Sequence, residues 1–237
     1  MKSILITGAS SGIGRATAEV FLNAGWRVGL IARRAERLQE MAQAHEHAVA
    51  LPANVTDEAA MQQAVATFVA QAGRLDVLFN NAGLFGPSAP PDEIALRDFD
   101  AVMAVNLRGM FIAAQLAFRQ MRAQSPQGGR IINNGSLSAH VPRENSICYT
   151  TSKHAVTGMT RSLSLDGREV GIACGQIDIG NAESELVAGL KAANPGMHTM
   201  DVDDAARSVL HMATLPPEAN VQFMTVMATK MPYIGRG

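Results

Sequence analysis

The sequence predicts an α/β fold with one parallel, doubly wound sheet, and three features of the chain support this prediction. Short apolar runs alternate with longer helical patterns, which is typical of repeated strand–helix–strand units. The runs are apolar at consecutive positions, as in Ile4-Leu5-Ile6 and Val77-Leu78-Phe79, so these strands are expected to be covered on both faces. Residues 1–237 contain no repeat and no Pro-, Ser- or Gly-rich linker, which indicates a single domain.

Each strand of the predicted seven-stranded sheet is placed on one apolar run. The runs are Ser3–Thr7, Arg27–Ala32, Ala48–Pro52, Asp76–Asn80, Arg130–Asn134, Gly171–Ile177 and Gln222–Met227. Helical periodicity predicts helices on both faces of the sheet, at Ala16–Ala24, Glu58–Ala72, Phe99–Phe118 and Ile147–Leu165. Gly25 and Gly73 lie where C-caps are expected, and Asp57 precedes a helix start.

Composition and charge narrow the class of protein. With 47% apolar and 17% charged residues, the chain is apolar enough to bury a core and is not expected to be disordered. The net charge of −1 argues against a nucleic-acid surface, and no apolar run approaches the roughly 18 residues of a membrane-spanning helix. Cys148 and Cys174 form no C-x-x-C motif, and His45 and His47 have no further ligands nearby. We therefore expect a cytoplasmic protein with no metal site and no nucleic-acid or membrane partner.

A glycine-rich turn directly follows the first predicted strand and opens the first helix. It consists of Thr7-Gly8-Ala9-Ser10-Ser11-Gly12-Ile13-Gly14. Glycines let the backbone approach a pyrophosphate closely, and a helix N-terminus offers it N–H groups and a positive dipole end. The spacing differs from the common G-x-G-x-x-G fingerprint, so an ordinary glycine-rich turn is the alternative interpretation. No lysine follows Gly12 or Gly14, which argues against a P-loop phosphotransferase.

Two arginines, Arg33 and Arg34, follow the second predicted strand, where dinucleotide-binding proteins contact the adenine ribose. An acidic residue there binds the 2′-hydroxyl of NAD, whereas an arginine grips the 2′-phosphate of NADP in a fork. Arg33 therefore favours NADP(H), and NAD(H) is the second possibility. The alternative is a solvated pair of cations at the start of a helix.

Tyr149 and Lys153 lie one turn apart within a predicted helix. An ammonium beside a phenol stabilises the phenolate, so we expect Lys153 to lower the pKa of Tyr149 for acid–base work near neutral pH. Ser136 follows the strand Arg130–Asn134, where a hydroxyl can hydrogen-bond a substrate carbonyl. The alternative for Tyr149 and Lys153 is an ordinary pair on a solvated helix. His140, four residues after Ser136, is either a substrate contact or a plain loop residue.

Taken together, these motifs resemble the short-chain dehydrogenase/reductase family over nearly the whole chain. The shared motifs, in the family's order and near its spacing, are the Thr7–Gly14 turn, Asn80–Gly83, Asn106, Ser136, Tyr149 and Lys153. The resemblance implies a Rossmann-like fold and hydride transfer between a nicotinamide cofactor and a small carbonyl or alcohol substrate.

The resemblance also implies a role for each matched residue. Tyr149 would be the general acid in reduction and the general base in oxidation, and Lys153 would lower its pKa and hold the nicotinamide ribose. Ser136 would orient the substrate carbonyl, and Asn106 would anchor a water in a proton relay behind Lys153. Ser184 would supply a hydroxyl to the nicotinamide carboxamide. The implied cofactor-binding residues are Gly8, Ser10, Ser11, Gly12, Ile13, Gly14, Arg33, Arg34, Asn54, Val55, Asn81, Ala82, Gly83, Tyr149, Lys153, Gly180 and Ser184.

The sequence departs from the family's pattern at three places. Asn54, before Val55, stands where the family usually has Asp in the adenine pocket, so that hydrogen bond is expected to change. Ile179 stands where proline normally precedes Gly180. The usual glycine-rich ending is replaced by Lys230–Gly237, in a tail that often lies near subunit contacts or the substrate cleft.

The family folds a mobile lid in the stretch that corresponds to residues 184–200. Apolar side chains there are expected to present an adaptable wall to the substrate, namely Leu186, Leu190, Met197 and Met200.

The sequence thus predicts an NADP(H)-dependent oxidoreductase that interconverts a ketone or aldehyde with an alcohol. The resemblance implies a homodimer or homotetramer, formed through the long helices near Phe99–Gln124 and Ile147–Leu165. The alternative is a catalytically silent regulatory or scaffold protein that binds a dinucleotide with the same fold. A binding module needs no complete set of Ser136, Tyr149 and Lys153, which favours the enzyme.

Overall fold

Seven strands form the centre of the computed structural model, which describes residues 1–193 and 196–234. They are β1 (Ser3–Thr7), β2 (Arg27–Ala32), β3 (Ala48–Pro52), β4 (Val77–Asn80), β5 (Gly129–Asn134), β6 (Ile172–Gly180) and β7 (Phe223–Met227). They join in the order β3-β2-β1-β4-β5-β6-β7, and every adjacent pair is parallel. The predicted doubly wound parallel sheet is confirmed.

The strands agree with the sequence prediction to within a residue at most ends, and β6 is the exception. The apolar run predicted an end at Ile177, but the strand continues to Gly180. Pairing with β7 extends it, because Ile179 lies opposite Val226 and Gly180 lies opposite Met227. The added residues bring Asp178 and Gly180 to the end of the sheet where ligands bind in open α/β folds.

Eight α-helices cover the sheet in the described part of the chain. They are α1 (Gly12–Asn23), α2 (Ala35–Ala44), α3 (Glu58–Ala72), α4 (Leu96–Met103), α5 (Met110–Ala123), α6 (Ile147–Gly167), α7 (Glu185–Ala193) and α8 (Val202–Thr214). Asp57 caps α3 by accepting a hydrogen bond from the Ala60 N–H at 3.0 Å, and Gly73 ends that helix in a left-handed conformation. Both caps were predicted. The sequence prediction left α2, α7 and α8 unassigned and began α1 four residues too late.

The two faces of the sheet carry separate hydrophobic cores. Alternate residues of β1 face opposite sides, so that Ile4 and Ile6 join one core while Leu5 joins the other. Phe21 of α1 packs in the first core and Phe68 of α3 packs in the second. This arrangement explains the continuous apolar runs, because neither face of the central strands meets water.

The expectation that no apolar run approaches the length of a membrane-spanning helix is wrong for one helical run: Leu96–Ala123 is 28 residues long and apolar enough to cross a membrane by length and composition alone. Half of its most apolar window is buried inside the fold, as in the core helix of a globular domain. Leu116 and Ala117 of this run belong to the core beneath α3 and α5. A π-helical segment, Ala104–Gly109, joins α4 to α5 within it.

Candidate active site

A cleft of about 570 Å³ opens at the carboxyl ends of the central strands. It lies beside β1 and β4, where the strand order changes direction between β1's two neighbours. Open α/β sheets bind ligands at this switch point because the loops that leave adjacent strands diverge there. The volume is that of an ordinary small-molecule site.

The glycine-rich turn forms one wall of the cleft and packs too tightly for side chains. Gly8 has a φ of +70°, and a Cβ on Gly14 would lie 2.2 Å from the Gly8 carbonyl oxygen. Ser11 at the N-cap of α1 makes no side-chain hydrogen bond to the first turn of the helix. The close backbone approach and the uncapped helix start fit a pyrophosphate group.

Thr7 ties the end of β1 to the loop after β4. Its hydroxyl oxygen accepts hydrogen bonds from the N–H groups of Asn81 and Ala82, at 2.9 and 3.0 Å. The Asn81 side chain in turn donates to the Thr7 carbonyl at 3.0 Å and accepts from the Asn134 side chain at 2.9 Å. These bonds hold the ends of β1, β4 and β5 at one floor of the cleft.

Ser136, Tyr149 and Lys153 all line the same cleft. Their side chains are buried, with exposed fractions of 6%, 9% and 3%. The Lys153 ammonium donates to the Asn134 carbonyl oxygen at 2.7 Å and lies 5.4 Å from the centre of the Tyr149 ring. The loop after β5 and the first turns of α6 therefore bring Ser136 together with the Tyr149–Lys153 pair, which lies in a different segment of the sequence.

The predicted lowering of the Tyr149 pKa is wrong for this structure. Burial raises the pKa of this phenol, and the Asp178 carboxylate also raises it, whereas a hydrogen bond from Ser136 and the charge of Arg143 lower it. Lys153 points toward the Asn134 carbonyl, and burial lowers the pKa of its own ammonium to about 8. The cost of burying the phenolate outweighs the favourable charge.

Asp178 is a buried charged group that lies outside the cleft lining, contacts Ser136 and was missed by the sequence prediction. It is 1% exposed, and one carboxylate oxygen accepts from the Ser136 backbone N–H at 2.8 Å and from the Gln176 amide at 2.7 Å. The other oxygen lies 2.8 Å from His140 Nε2. His140 thus contacts Asp178 and is not among the residues that line the cleft.

Asn106 lies outside the cleft lining, in the π-helical segment. Its side chain is fully buried, accepts from the Leu84 N–H at 2.9 Å, and donates to the Leu84 carbonyl at 2.9 Å and the Ser152 hydroxyl at 3.0 Å. The amide thereby fastens the loop after β4 to α6. The water-anchoring role of Asn106 stays a prediction.

Arg33 and Arg34 lie at the end of the cleft that is far from Tyr149. Arg33 is exposed and lines the cleft, while Arg34 donates to the hydroxyls of Ser10 and Ser11. Glu185 at the start of α7 bridges Arg34 and Arg37, and hydrogen bonds from Arg37 and Arg34 lower its pKa to about 2. Asn54 turns back to accept a hydrogen bond from the Thr56 N–H at 3.2 Å.

Nearly all of the predicted site residues line this one cleft. The exceptions are Asn106 and Gly14, which packs behind Gly8; those that do line it are Gly8, Ser10, Ser11, Gly12, Ile13, Arg33, Arg34, Asn54, Val55, Asn81, Ala82, Gly83, Ser136, Tyr149, Lys153, Gly180 and Ser184. Among the described residues, no group of three or more His, Cys, Asp or Glu side chains is arranged to hold a metal ion.

The methionines of the 184–200 stretch do not form the apolar wall of the cleft that the sequence predicted. Met200 packs against the core that contains Phe21, and neither Met197 nor Met200 lines the cleft. Val187 of α7 does line it. The side chains of Leu186 and Leu190, like residues 194–195, lie outside the described part of the chain.

The unusual tail reaches the cleft as well. Met231, Pro232 and Tyr233 contribute to its lining. Residues 235–237 lie outside the described part of the chain.

Known proteins are similar to this chain in both sequence and fold. The short chain dehydrogenase family matches residues 2–195. The 2-(R)-hydroxypropyl-CoM dehydrogenase of Xanthobacter autotrophicus is 38% identical over 189 residues, which cover 77% of this chain and 75% of that protein. Sulfoacetaldehyde reductase 2 of Chromohalobacter salexigens is 31% identical over 241 residues, covering 97% and 95%. A short chain dehydrogenase from Burkholderia cenocepacia, solved in complex with NADP, is 31% identical with a TM-score of 0.84 and covers 95% of this chain and 96% of that one.

The chain belongs to the short chain dehydrogenase family. It is an oxidoreductase of that family, and the predicted family membership is confirmed. In this short chain dehydrogenase, Asp178, Arg143 and Glu185 are site residues that no local sequence signal marked. Each acts through contacts with segments distant in sequence, so only the folded chain places it at the site.

We expect the phenol of Tyr149 to ionise above its ordinary pKa, because burial disfavours the phenolate. The chain has two tyrosines, so an ultraviolet titration of tyrosinate resolves them, and Tyr149→Phe identifies the buried one. Asp178→Asn should lower the pKa of Tyr149, since it removes a nearby negative charge, and Arg143→Met should raise it, since it removes a positive one. Circular dichroism at each pH controls for unfolding. Shifts of the same sign in the two variants would contradict this electrostatic account.

Proposed function

We propose that the protein is an NADP(H)-dependent oxidoreductase that interconverts a ketone or aldehyde with an alcohol. The observation that carries this proposal is the meeting of Ser136, Tyr149 and Lys153 in the same cleft as the glycine-rich turn. A pyrophosphate-binding turn alone serves any dinucleotide-binding protein, whereas a buried phenol, hydroxyl and ammonium together provide for proton transfer to a carbonyl oxygen.

The chain's own groups divide the chemistry between them. A bound nicotinamide supplies or accepts the hydride. The Ser136 hydroxyl donates a hydrogen bond to the carbonyl oxygen, and its position is set because Asp178 holds the Ser136 N–H. Tyr149 donates a proton to that oxygen in reduction and takes one from the alcohol in oxidation. A raised pKa keeps the phenol protonated near neutral pH, which is the form that reduction requires.

Lys153 would hold the nicotinamide ribose and replenish the proton of Tyr149. A pKa of about 8 lets the amine exchange protons near neutral pH more readily than an ordinary lysine. Its bond to the Asn134 carbonyl orients the side chain toward the floor of the cleft. Ser184 and Gly180 line the cleft, where they would contact the nicotinamide.

NADP(H) is the cofactor that the residues favour. The glycine-rich turn fits a pyrophosphate, and Arg33 offers an exposed guanidinium at the far end of the cleft. The NADP complex of the Burkholderia cenocepacia relative supports the same choice. NAD(H) remains the second cofactor within the proposal, because Arg34 is already paired with Glu185.

A catalytically silent dinucleotide-binding scaffold is the competing proposal. Ile179, Asn54 and the unusual tail depart from the family's pattern, and these departures favour it. The relatives named as dehydrogenases and reductases support the enzyme, as does the burial of Tyr149 and Lys153 in the cleft.

We also propose one catalytic domain over residues 1–237, with the 184–200 stretch closing over the cleft through the contacts of Glu185. A cytoplasmic location stays a prediction.

Replacing Tyr149 with Phe should lower carbonyl reduction by about 10²- to 10⁴-fold, since it removes the proton donor and little volume. NADPH binding, measured by fluorescence titration, should stay within a few-fold of the parent protein. Steady-state turnover followed by NADPH absorbance checks the first expectation. Unchanged turnover in Tyr149→Phe would remove Tyr149 from the mechanism.

Binding of NADP⁺ should respond in opposite directions to Arg34→Ser and Glu185→Gln. Loss of a guanidinium that can hold the 2′-phosphate should weaken NADP⁺ binding by about 10- to 100-fold, with little effect on NAD⁺. Loss of the competing carboxylate should strengthen NADP⁺ binding by about 2- to 10-fold, because Arg34 no longer has to leave an ion pair. Isothermal titration calorimetry measures both, and Glu36→Gln, which removes an exposed carboxylate of α2 outside the cleft lining, is the charge-matched control. Equal effects on NADP⁺ and NAD⁺ would contradict this assignment.

A homo-oligomer is expected to form through the two long helical runs. Large apolar side chains are exposed on these runs at Leu96 and Phe111, and on α6 at Ile147 and Leu165. Light scattering should give the mass of a dimer or tetramer, and Phe111→Asp combined with Leu165→Asp should shift it toward a monomer. A monomeric parent protein at micromolar concentration would refute the proposal.

A further inference from the structure

Arg143 brings a positive charge into the cleft and has no hydrogen-bond acceptor in the part of the chain that the structure describes. Its side chain lines the cleft, and its Nε atom is buried without a hydrogen-bond partner among the described residues. None of the ion pairs found in residues 1–193 and 196–234 includes it. A buried N–H that has lost water and gained no acceptor is costly, so such a group needs an explanation.

The buried guanidinium of Arg130, in contrast, has acceptors for both of its terminal nitrogens. Arg130 is 6% exposed and donates to the Asn220 side chain at 2.9 Å and to the Ala219 carbonyl at 2.9 Å. Arg34 likewise has both hydroxyl and carboxylate partners. Arg143 differs from both, because the contacts found for its guanidinium are with the aromatic rings of Phe85 and Tyr149.

Two aromatic rings hold Arg143 on the catalytic side of the cleft. Its guanidinium carbon lies 5.5 Å from the centre of the Phe85 ring and 5.7 Å from that of Tyr149. The two rings pack edge to face, with centres 4.8 Å apart. Cation–π contacts orient the guanidinium, but they use its flat face and leave the N–H groups in the guanidinium plane free to donate.

The nearby carboxylate is not free to neutralise Arg143. Asp178 is the buried acidic group of the site, and both its oxygens are engaged by Ser136, Gln176 and His140. Lys153 adds a second positive charge to the same end of the cleft. The two cations outnumber the one buried carboxylate, whose charge remains, so the catalytic end keeps a net positive charge that attracts an anion. A guanidinium without an acceptor matches a carboxylate.

We propose that Arg143 forms an anion subsite, and that the substrate is a short carbonyl or alcohol compound that carries a carboxylate. The proposal rests on the proposed oxidoreductase function and narrows its substrate class. A carbonyl oxygen that meets the Tyr149 hydroxyl leaves only a few bonds between the reacting carbon and a carboxylate on Arg143, because the guanidinium lies beside the same ring. The competing account is that Arg143 only braces Phe85 and Tyr149.

Paired acids and esters distinguish these accounts. kcat/KM is measured for pyruvate against methyl pyruvate and for levulinate against methyl levulinate, with NADPH, in the parent protein and in Arg143→Met. The parent should prefer the acid in at least one pair by about 10- to 100-fold, the range of a charge-assisted hydrogen bond. Arg143→Met should bring that ratio close to one, even though its turnover also falls because the variant alters the surroundings of Tyr149. Arg97→Met, which removes a charge from an exposed helix away from the cleft, should keep the parent ratio.

Direct binding separates failure of the subsite from failure of the proposed function. Levulinate should raise the melting temperature of the parent protein more than methyl levulinate does, and its apparent Kd should weaken at least about 10-fold in Arg143→Met. If no carbonyl compound is turned over but this loss of binding is seen, the proposed interconversion of carbonyl and alcohol fails and the anion subsite stands. Equal levulinate binding by the two proteins, or equal acid–ester ratios, would overturn the subsite.

Discussion

The hydroxyl of Thr7 is the contact on which the candidate site depends most. It lies at the end of β1 and binds the backbone of the loop that leaves β4, at the point where the strand order changes direction. Asn81 passes the connection on to Asn134 at the end of β5. These bonds hold together the starts of three loops that diverge from the sheet. The strand order creates the cleft between these loops, and a few hydrogen bonds make it rigid. The glycine-rich turn, Ser136 and Lys153 all take their positions from this floor of the cleft.

Burial sets the protonation behaviour of the site more strongly than any single charge does. The same dry environment raises the pKa of the Tyr149 phenol and lowers that of the Lys153 ammonium, because each charged form loses water. Asp178 tolerates burial since several donors surround it, and its charge acts on both of the other groups. In the protein alone the phenol is held protonated, and the oxidised form of a nicotinamide would add the positive charge that opposes this effect.

The two ends of the cleft use arginine in different ways. At the far end, Arg34 rests on Ser10 and Ser11 and is neutralised by Glu185, so a phosphate must compete with a carboxylate already present. At the catalytic end, Arg143 stacks on Phe85 and Tyr149 and keeps an unsatisfied donor. We propose that an exchange of partners at Arg34 tunes cofactor choice, whereas the unpaired guanidinium of Arg143 selects the substrate.

The sequence alone determined the sheet, its parallel strands and the segments that carry the site. Consecutive apolar residues, glycine spacing and helix caps are local signals, and they are governed by burial and backbone sterics that hold in any context. The order of motifs also identified the family. Tertiary structure decided what those signals cannot contain: the extension of β6 by pairing with β7, the use of Asn106 as a fastener for Leu84, and the raised pKa of Tyr149. It also decided the placing of Asp178, Glu185 and Arg143, because desolvation and charge depend on neighbours that are tens of residues away along the chain.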